Sequence, residues 1–209
     1  DIISAPDIKS IYEVPVNFEK ENLGKRILEK LNLKSWEKDS HLWRSFLKKS
    51  SAAHEAVKVG IVGKYFDSGK FTLADSYISV IEAVKHATWS MNRRPEITWL
   101  NAEAYEKDPV KLEELKNFDG VIVPGGFGKR GVEGKILAIQ YARENNLPFL
   151  GLCYGLQLAV VEFARHVCDL KEAHTSEVYP TTSHPVISTM ADQINKMKKK
   201  EMGGTMRLG

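Results

Sequence analysis

The sequence has 209 residues and a formal net charge of +3, with 43% hydrophobic and 27% charged residues. This balance favours a globular domain with an appendage and argues against a nucleic-acid partner, which would require a marked excess of positive charge. No run reaches the roughly 18 apolar residues of a membrane helix, so we expect neither a membrane span nor a signal peptide. The 2 cysteines cannot form a disulfide framework, and their scarcity predicts a cytoplasmic protein.

Residues 1–55 differ in pattern from the rest of the chain. Helices are predicted near Glu19–Leu31 and Trp36–Leu47, and residues 48–56 form a polar run of small residues that is typical of a linker. We therefore place a domain boundary between residues 55 and 56, with an N-terminal helical linker arm before it. The alternative is a helical arm that packs on the main domain.

From Val57 onward, strand and helix patterns alternate. Apolar runs rich in β-branched residues predict strands at 57–62, 96–100, 119–126 and 147–152, and amphipathic stretches between them predict helices, including one over 109–118. This alternation predicts an α/β fold with a doubly wound, mostly parallel sheet and helices on both faces. Ligands of such sheets bind at the carboxyl ends of strands, so the loops after Val123 and Leu152 are the candidate site.

The strongest chemical signal is the segment from Gly151 to Gly155, which lies between an apolar strand and an amphipathic helix. Its centre, Cys153, occupies the nucleophile position of a G-x-nucleophile-x-G elbow. The sharp turn forces the nucleophile into a strained backbone conformation, and the N-terminus of the following helix stabilises a thiolate. A buried structural cysteine is the alternative. The strand-to-helix position favours the nucleophile.

The helix after the elbow carries an apolar stripe and the second cysteine. The stripe consists of Leu156, Ala159, Val160, Phe163, Ala164 and Val167. Cys168 lies at the far end of this helix and is interpreted as inert packing.

A second signal is the run from Pro124 to Gly128 at the end of the third predicted strand. Consecutive glycines let backbone N–H groups converge on an anion, so Gly126 is a candidate for an oxyanion hole beside the elbow. A flexible turn is the alternative reading of the glycines alone.

Two other kinds of site are not supported. Gly63 and Gly69 are separated by five residues where a P-loop has four, and Phe71 stands where a P-loop has Ser or Thr. The histidines and cysteines show no paired metal-ligand spacing, so no metal site is predicted. We do not expect His166 or His174 to act as the catalytic base. Both lie near the far end of the helix that follows the elbow, and a base must first lie within reach of the nucleophile.

Several segments together resemble the CTP synthase family, whose glutaminase domain is a class I glutamine amidotransferase. The segments are VGKY, SYISVIEAVKHA, PGGFGKRGVEGKILAIQYAREN, GLCYGLQLAVVEFARHV, PTTSHPV and GGTMRLG, and PDIKSIYEVP resembles the end of the family's synthetase domain. The resemblance covers nearly the whole chain. It implies that residues 1–55 are the end of the synthetase domain and the interdomain linker, and that residues 56–209 are a C-terminally incomplete glutaminase domain.

The resemblance implies a ligase that converts UTP to CTP with ATP, Mg²⁺ and glutamine. The glutaminase domain would hydrolyse glutamine, and ammonia would pass through an internal tunnel to aminate ATP-phosphorylated UTP. GTP would activate the enzyme, CTP would inhibit it, and the intact enzyme would be a homo-tetramer. Residues 1–209 would hold no cofactor of their own, because Mg²⁺ and ATP would bind elsewhere in the intact enzyme.

The resemblance also implies roles for individual residues. Cys153 would form a glutamyl thioester, Gly126 would help to form the oxyanion hole, and Glu177 would hold the glutamine α-amino group, which suits a carboxylate. The other implied glutamine-binding residues are Tyr154, Gly155, Leu156 and Gln157. Tyr154 stands where many relatives have Leu. Phe127 and Arg130 would belong to a GTP-sensing loop, and Asp7 and Ile8 would border the ATP adenine.

The family's catalytic His and Glu lie in a later His-Pro-Glu motif that residues 1–209 do not contain. His184 and Pro185 do not replace it, because Val186 follows them. The family's arginine that grips glutamine is missing from residues 1–209 as well, so we expect a fragment with half of the family's active site. Either further residues follow Gly209, or the fragment is inactive. Two other functions stay open: an inactive regulatory or assembly module of the same fold, and a stand-alone cysteine hydrolase or peptidase.

Overall fold

The structure is a computed structural model and describes residues 2–34, 40–64, 77–126, 128–188 and 190. The chain forms two compact units, Asp1–Ala56 with Lys85–Arg94, and Val57–Val84 with Pro95–Gly209. None of the helices in the described ranges has the length and apolar character needed to cross a membrane.

The first unit is helical. It contains a 3₁₀ turn at Ile11–Glu13 and the helices α1 (Val14–Lys20), α2 (Leu23–Lys30) and α3 (His41–Ala52), followed later in the chain by the last turns of α4 (Ile78–Ser90). Aromatic rings hold these segments together at centroid distances of 5.2–6.1 Å, and the Tyr12 hydroxyl bonds to His86 Nε2 at 2.6 Å. The rings are Tyr12, Trp43, Phe46, His86 and Trp89.

The N-terminal helices differ in detail from the prediction. The helix predicted near Glu19–Leu31 is α2, which begins at Leu23, and the second begins at His41. The first residues of the predicted linker are helical, because α3 continues to Ala52. The Ser50 and Ser51 hydroxyls donate to main-chain carbonyls three residues back, so these polar residues are accommodated inside the helix.

The second unit is built on a four-stranded sheet. Its strands are β1 (Ala56–Gly63), β2 (Arg94–Asn101), β3 (Gly120–Val123) and β4 (Phe149–Gly151), in the order β2-β1-β3-β4. The pairs β1–β3 and β3–β4 are parallel, and Val123 pairs with Gly151. The carboxyl ends of β3 and β4 therefore lie side by side, as the sequence predicted.

Helices cover both faces of this sheet, which confirms the predicted α/β class. Alternate residues of β3 face opposite ways: Ile122 packs in a cluster with Ile61 and Val84 of α4, whereas Val121 and Val123 belong to the larger core. That larger core includes residues of α5 (Ala102–Lys107), α6 (Val132–Glu144) and α7 (Tyr154–His166). The sheet is thus buried between helical layers.

Three features of the second unit differ from expectation or extend it. Pro109–Asn117 forms a 3₁₀ helix rather than an α-helix. The two short parallel strands β5 (Ala173–Thr175) and β6 (His184–Ile187) form a separate sheet. Cys168 is exposed, so its interpretation as packing was wrong; it follows the last turn of α7 and its backbone N–H caps the carbonyl of Phe163.

The apolar stripe of α7 is not its buried face. Leu156, Val160 and Phe163 are 58%, 42% and 51% exposed, whereas Leu158 and Val161 are fully buried. The helix can turn this way because the charge of Glu162, 1% exposed, is paired with Arg143 of α6 at 2.9 Å. An ion pair between a buried glutamate and a partly exposed arginine therefore takes the place of apolar contacts on the inner face.

Helix α7 approaches β3 very closely at Gly155. A Cβ atom at this position would lie 1.9 Å from the carbonyl oxygen of Val123, which is backbone and cannot rotate away. The contact therefore requires a glycine. It fixes the distance between the first turn of α7 and the end of β3.

We expect Gly155→Ala to lower the free energy of unfolding by about 3 kcal/mol, because the added methyl group forces α7 away from β3. Chemical denaturation of the intact protein, followed by circular dichroism, measures this. Val160→Ala on the outer face of the same helix is the control and should change stability by about 0.5 kcal/mol or less. Equal stability of Gly155→Ala and wild type would contradict the contact.

Candidate active site

Cys153 occupies the turn between β4 and α7. It is the N-cap residue of α7, its backbone angles are φ 52° and ψ −110°, and its side chain is exposed. A positive φ is uncommon for a residue with a side chain and costs of order 1–3 kcal/mol, so the surrounding structure must impose it. The predicted sharp turn is therefore present. The catalytic role of the thiol stays a prediction.

Backbone hydrogen bonds around Cys153 define the turn. Leu152 N–H donates to the carbonyl of Val123 at 2.9 Å, and Gly155 N–H donates to that of Leu152 at 2.9 Å. A Cβ on Gly151 would lie 2.8 Å from the backbone of Gly155, which shows how tightly the turn closes. Because both sides of Cys153 are fixed in this way, the thiol is held at the exposed corner.

Residues 124–126, which we call the glycine strand, follow β3 and lie beside Cys153. A Cβ atom on Gly125 would be 3.3 Å from Cys153 Cβ and 3.6 Å from Sγ, so a side chain at this position would crowd the thiol. Gly126 has φ 142°, a conformation that side chains disfavour. Among the residues that the structure describes, nothing accepts a hydrogen bond from the N–H of Gly126 or Tyr154. Both donors are available to an anion.

Two side chains hold the carbonyls of this glycine strand. Lys135 of α6 is 1% exposed, and its Nζ donates to the Pro124 carbonyl at 3.3 Å. The Tyr77 hydroxyl donates to the carbonyl of Gly125 at 3.4 Å. The pKa of Lys135 is lowered to about 8: burial contributes most and the Lys64 ammonium adds to it, whereas the Cys153 thiolate charge raises it.

Arg130 ties the loop after the glycine strand to its neighbours. Its Nε contacts Glu103 Oε1 at 2.8 Å, and its guanidinium donates to the Lys64 carbonyl at 3.1 Å. The Lys64 ammonium in turn donates to the Gly128 carbonyl at 3.3 Å. Burial and the Arg130 charge lower the pKa of Lys64, while Glu103 and Glu177 oppose them. Phe127, predicted beside Arg130, lies outside the described residues.

The predicted glutamine-binding residues occupy different environments. Tyr154 is 5% exposed with its ring in the core, and its hydroxyl has no hydrogen-bond partner among the described residues. Burial raises the pKa of Tyr154 to about 12, and the charges of Glu177 and Glu133 add to the shift. Leu156 is 58% exposed, Gln157 is partly exposed and Glu177 is exposed. Because the charge of Glu177 raises the pKa of Tyr154, Glu177 lies near the start of α7.

A charged cluster joins the first turn of α6 to the end of α7 and to β5. Arg165 contacts Glu133 at 2.7 Å and donates to the Ala173 carbonyl at 2.7 Å. His174 Nε2 lies 3.3 Å from Glu133, and Thr175 N–H donates to His174 Nδ1 at 2.8 Å. Since Nδ1 accepts a hydrogen bond, the neutral ring carries its proton on Nε2 and donates it to Glu133.

The pKa values of Glu133 and His174 are both lowered, which favours an ionised Glu133 that accepts a hydrogen bond from a neutral His174. Burial opposes ionisation of Glu133, but the Arg165 and His174 contacts outweigh it, so the pKa of Glu133 lies below its usual value. Burial first, and then the Arg165 charge, lower the pKa of His174, whereas Glu133 opposes them. His174 is thus a neutral structural residue near pH 7.

The histidines that were not expected to act as the base have partners of their own. His166 Nδ1 lies 3.1 Å from Glu162, and the exposed His184 bonds to Ser183. Asp7 and Ile8 belong to the first unit and precede its 3₁₀ turn. In the described part of the chain, no group of three or more His, Cys, Asp or Glu side chains is arranged to hold a metal ion.

Comparison with known proteins assigns the family. The profile of the glutamine amidotransferase class-I family matches residues 72–209. The chain therefore belongs to the class-I glutamine amidotransferase family. The particular relatives are CTP synthases: the chain is 48% identical over 208 residues to that of Pyrococcus abyssi and 49% identical over 208 residues to that of Sulfurisphaera tokodaii.

The coverage of these matches is unequal. Each includes 100% of this chain but only 37% and 38% of the length of the two relatives. Among solved structures, the glutaminase domain of Trypanosoma brucei CTPS with bound acivicin is 35% identical, with a TM-score of 0.62 over 68% of this chain and 53% of that one. The resemblance noted in the sequence is thereby confirmed, and the likeness extends to the fold.

Sequence analysis missed the side chains behind the glycine strand. Lys135 lies in an amphipathic helix, where a lysine is normally solvated, and Tyr77 lies far away in the sequence, immediately before α4. The one sequence signal for a buried lysine was the position of Lys135 between Gly134 and Ile136, near the start of the predicted helix. The charged cluster of Glu133, Arg165 and His174 was missed as well.

We expect His174→Asn to reduce the loss of stability on acidification. The folded-state pKa of His174 is below its ordinary value of 6.5, so the unfolded chain binds more protons and stability falls as pH drops through that range. An asparagine can still accept from Thr175 but does not titrate. Thermal unfolding from pH 7 to pH 5 measures the slope, and Glu133 titrates at lower pH. His184→Asn, on an exposed histidine, is the control; identical slopes for His174→Asn and wild type would contradict the assignment.

Proposed function

We propose that this chain is the glutaminase part of a glutamine-hydrolysing CTP synthase, with Cys153 as its nucleophile. The observation that carries the proposal is the strained, exposed Cys153 at the start of α7, in contact with the glycine strand. Membership of the class-I glutamine amidotransferase family supports it, as does the identity to CTP synthases over the chain's whole length.

The proposed reaction is amide hydrolysis by covalent catalysis. The Cys153 thiolate attacks the side-chain carbonyl of glutamine, and the C=O electrons move to oxygen to give a tetrahedral oxyanion. Collapse of this intermediate breaks the C–N bond, and nitrogen takes a proton and leaves as ammonia. Water then attacks the glutamyl thioester, which releases glutamate and restores the thiol.

The backbone of the site supplies the groups that such an oxyanion needs. The N–H groups of Gly126 and Tyr154 have no acceptor within the described residues, and they follow the ends of the adjacent strands β3 and β4. Preorganised donors of this kind stabilise negative charge that develops only in the transition state. The positive end of the α7 dipole adds to the same effect.

Glutamine recognition in the proposal depends on Glu177. Its carboxylate is exposed, and its position is fixed by the Thr175 hydroxyl, which accepts from Glu177 N–H at 3.1 Å. A carboxylate pairs well with the α-ammonium group of an amino acid, and charge-assisted hydrogen bonds are among the stronger ones. Leu156 and Gln157, both accessible on the first turns of α7, would line the same pocket.

The rest of the proposed enzyme lies outside this chain, which spans about 37% of the length of the relatives. In the intact protein, ammonia would aminate UTP in a reaction that uses ATP and Mg²⁺. GTP would activate through the loop that holds Phe127 and Arg130, and CTP would inhibit. Asp7 and Ile8 would border the adenine of ATP. The intact enzyme would be a cytoplasmic homo-tetramer, and a later His-Pro-Glu motif would supply the base.

We expect Cys153→Ala to abolish glutamine-dependent CTP formation in the intact enzyme and to spare formation from added ammonia. Removing the sulfur eliminates the thioester, but ammonia bypasses the glutaminase site. Spectrophotometric CTP assays with either nitrogen source measure the difference. Cys168→Ala is the control and should keep both activities. Loss of both activities in Cys153→Ala would contradict the role of the thiol.

Covalent labelling separates the proposal from its alternatives. Acivicin is bound in the solved T. brucei domain, and we expect it to modify the wild-type intact protein at Cys153 alone, as detected by mass spectrometry of peptides. An inactive module would show no labelling of Cys153. A cysteine peptidase would show no protection by glutamine, whereas the proposed glutaminase would.

We expect Glu177→Gln to raise KM for glutamine by roughly tenfold to a hundredfold, since a charge-assisted hydrogen bond contributes about 1.5–3 kcal/mol. The ammonia-dependent rate should not change. Steady-state kinetics with both nitrogen sources measure this. Glu172→Gln, at another exposed glutamate in the same unit, is the matched control. An unchanged KM in Glu177→Gln would remove this residue from the pocket.

A further inference from the structure

We propose that Lys135 and Tyr77 form a clamp that positions the oxyanion-binding backbone at Cys153. The proposal rests on the glutaminase function above. It assigns a role to two buried side chains that do not themselves touch the substrate. Both are positioning residues, because they act through the peptide groups of Pro124, Gly125 and Gly126.

The clamp acts on two successive peptide groups. Lys135 Nζ donates to the Pro124 carbonyl at 3.3 Å, and the Tyr77 hydroxyl donates to the carbonyl of Gly125 at 3.4 Å. In a trans peptide the C=O and the following N–H point in opposite directions. Holding the Pro124 carbonyl therefore orients the N–H of Gly125, and holding the Gly125 carbonyl orients the N–H of Gly126.

The glycine strand needs such a clamp because its residues do not by themselves restrict the backbone to one conformation. Glycine residues have the widest choice of backbone angles, and Gly126 is held at φ 142°. An oxyanion donor that is free to rotate stabilises charge poorly, because reorientation then occurs during the reaction. Because Lys135 and Tyr77 bind the carbonyl groups of these peptides, the N–H groups stay free to bind the substrate.

Lys135 has a second connection to the thiol, through charge. Its ammonium is buried at 1% exposure, where an unpaired charge is costly, and Cys153 and Lys64 are the groups whose charges act on it. Several charged groups on α5, α6 and α7 have partners of their own: Glu106, Glu133, Glu162 and Arg165. The charge of a thiolate at Cys153 acts favourably on the Lys135 ammonium. Lys135 should therefore favour the thiolate, whereas Tyr77 carries no charge and should not.

This difference makes the two halves of the clamp separable by experiment. In the intact enzyme, Lys135→Met keeps much of the side-chain volume but removes the donor and the charge. Tyr77→Phe removes only the donor. We expect both variants to lower kcat for glutamine hydrolysis roughly tenfold with little change in KM, because the donors act mainly in the transition state.

The pH dependence of Cys153 alkylation by iodoacetamide supplies the second readout. We expect its midpoint to move to higher pH in Lys135→Met and to stay at the wild-type value in Tyr77→Phe. Lys135→Arg, which keeps a charge and a donor, should restore part of both properties. Lys116→Met on the surface and Tyr141→Phe in α6 are matched controls, and each should behave as wild type.

The outcomes distinguish this inference from the function on which it rests. If Cys153→Ala still hydrolyses glutamine, the proposed function is wrong. If Cys153→Ala is inactive while Lys135→Met and Tyr77→Phe keep wild-type kcat and wild-type alkylation profiles, only the clamp is wrong. A loss of thermal stability in Lys135→Met or Tyr77→Phe without either kinetic change would likewise assign the two residues a structural role and overturn the clamp.

Discussion

The contact between the backbone of Gly155 and the carbonyl of Val123 controls the geometry of the whole candidate site. It brings the first turn of α7 against the end of β3, a distance that only a residue without a side chain permits. The preceding turn then has too little room for ordinary backbone angles, and Cys153 takes up the strain at φ 52°. The exposed thiol and its neighbouring N–H groups are consequences of this one approach, because rigid elements set positions more accurately than loops do.

The charged side chains of the second unit have two kinds of partner. Buried cations lie behind the glycine strand, where Lys135 reaches the Pro124 carbonyl. The carboxylates of Glu133 and Glu162 are paired with Arg165 and Arg143 on the helices. The cations near the thiol therefore have backbone carbonyls as partners, and the acids farther along α6 and α7 are already neutralised.

The sequence predicted the elements whose patterns are local. The strands, α6, α7 and the turn at Cys153 follow from apolar periodicity and glycine spacing. It did not predict which face of α7 is buried, because Glu162 is paired there with a distant Arg143, and no pattern within one helix reveals a partner on another. The same reason hid Lys135, whose carbonyl partner belongs to a loop. The 3₁₀ geometry of Pro109–Asn117 was missed because a propensity for helix does not distinguish the two helix types.

The features that the sequence missed are those that separate a reactive cysteine from a cysteine at a similar turn. A G-x-C-x-G elbow by itself provides strain and a helix dipole, and a glycine strand provides N–H groups with no fixed direction. The orientation of these N–H groups comes from Tyr77, which precedes α4, and from Lys135 of α6, and the two residues lie on opposite sides of the glycine strand in the sequence. The site is therefore a property of the packed sheet and its helical layers. A short peptide with the same motif would have the thiol but would lack the packed environment that surrounds it in this unit.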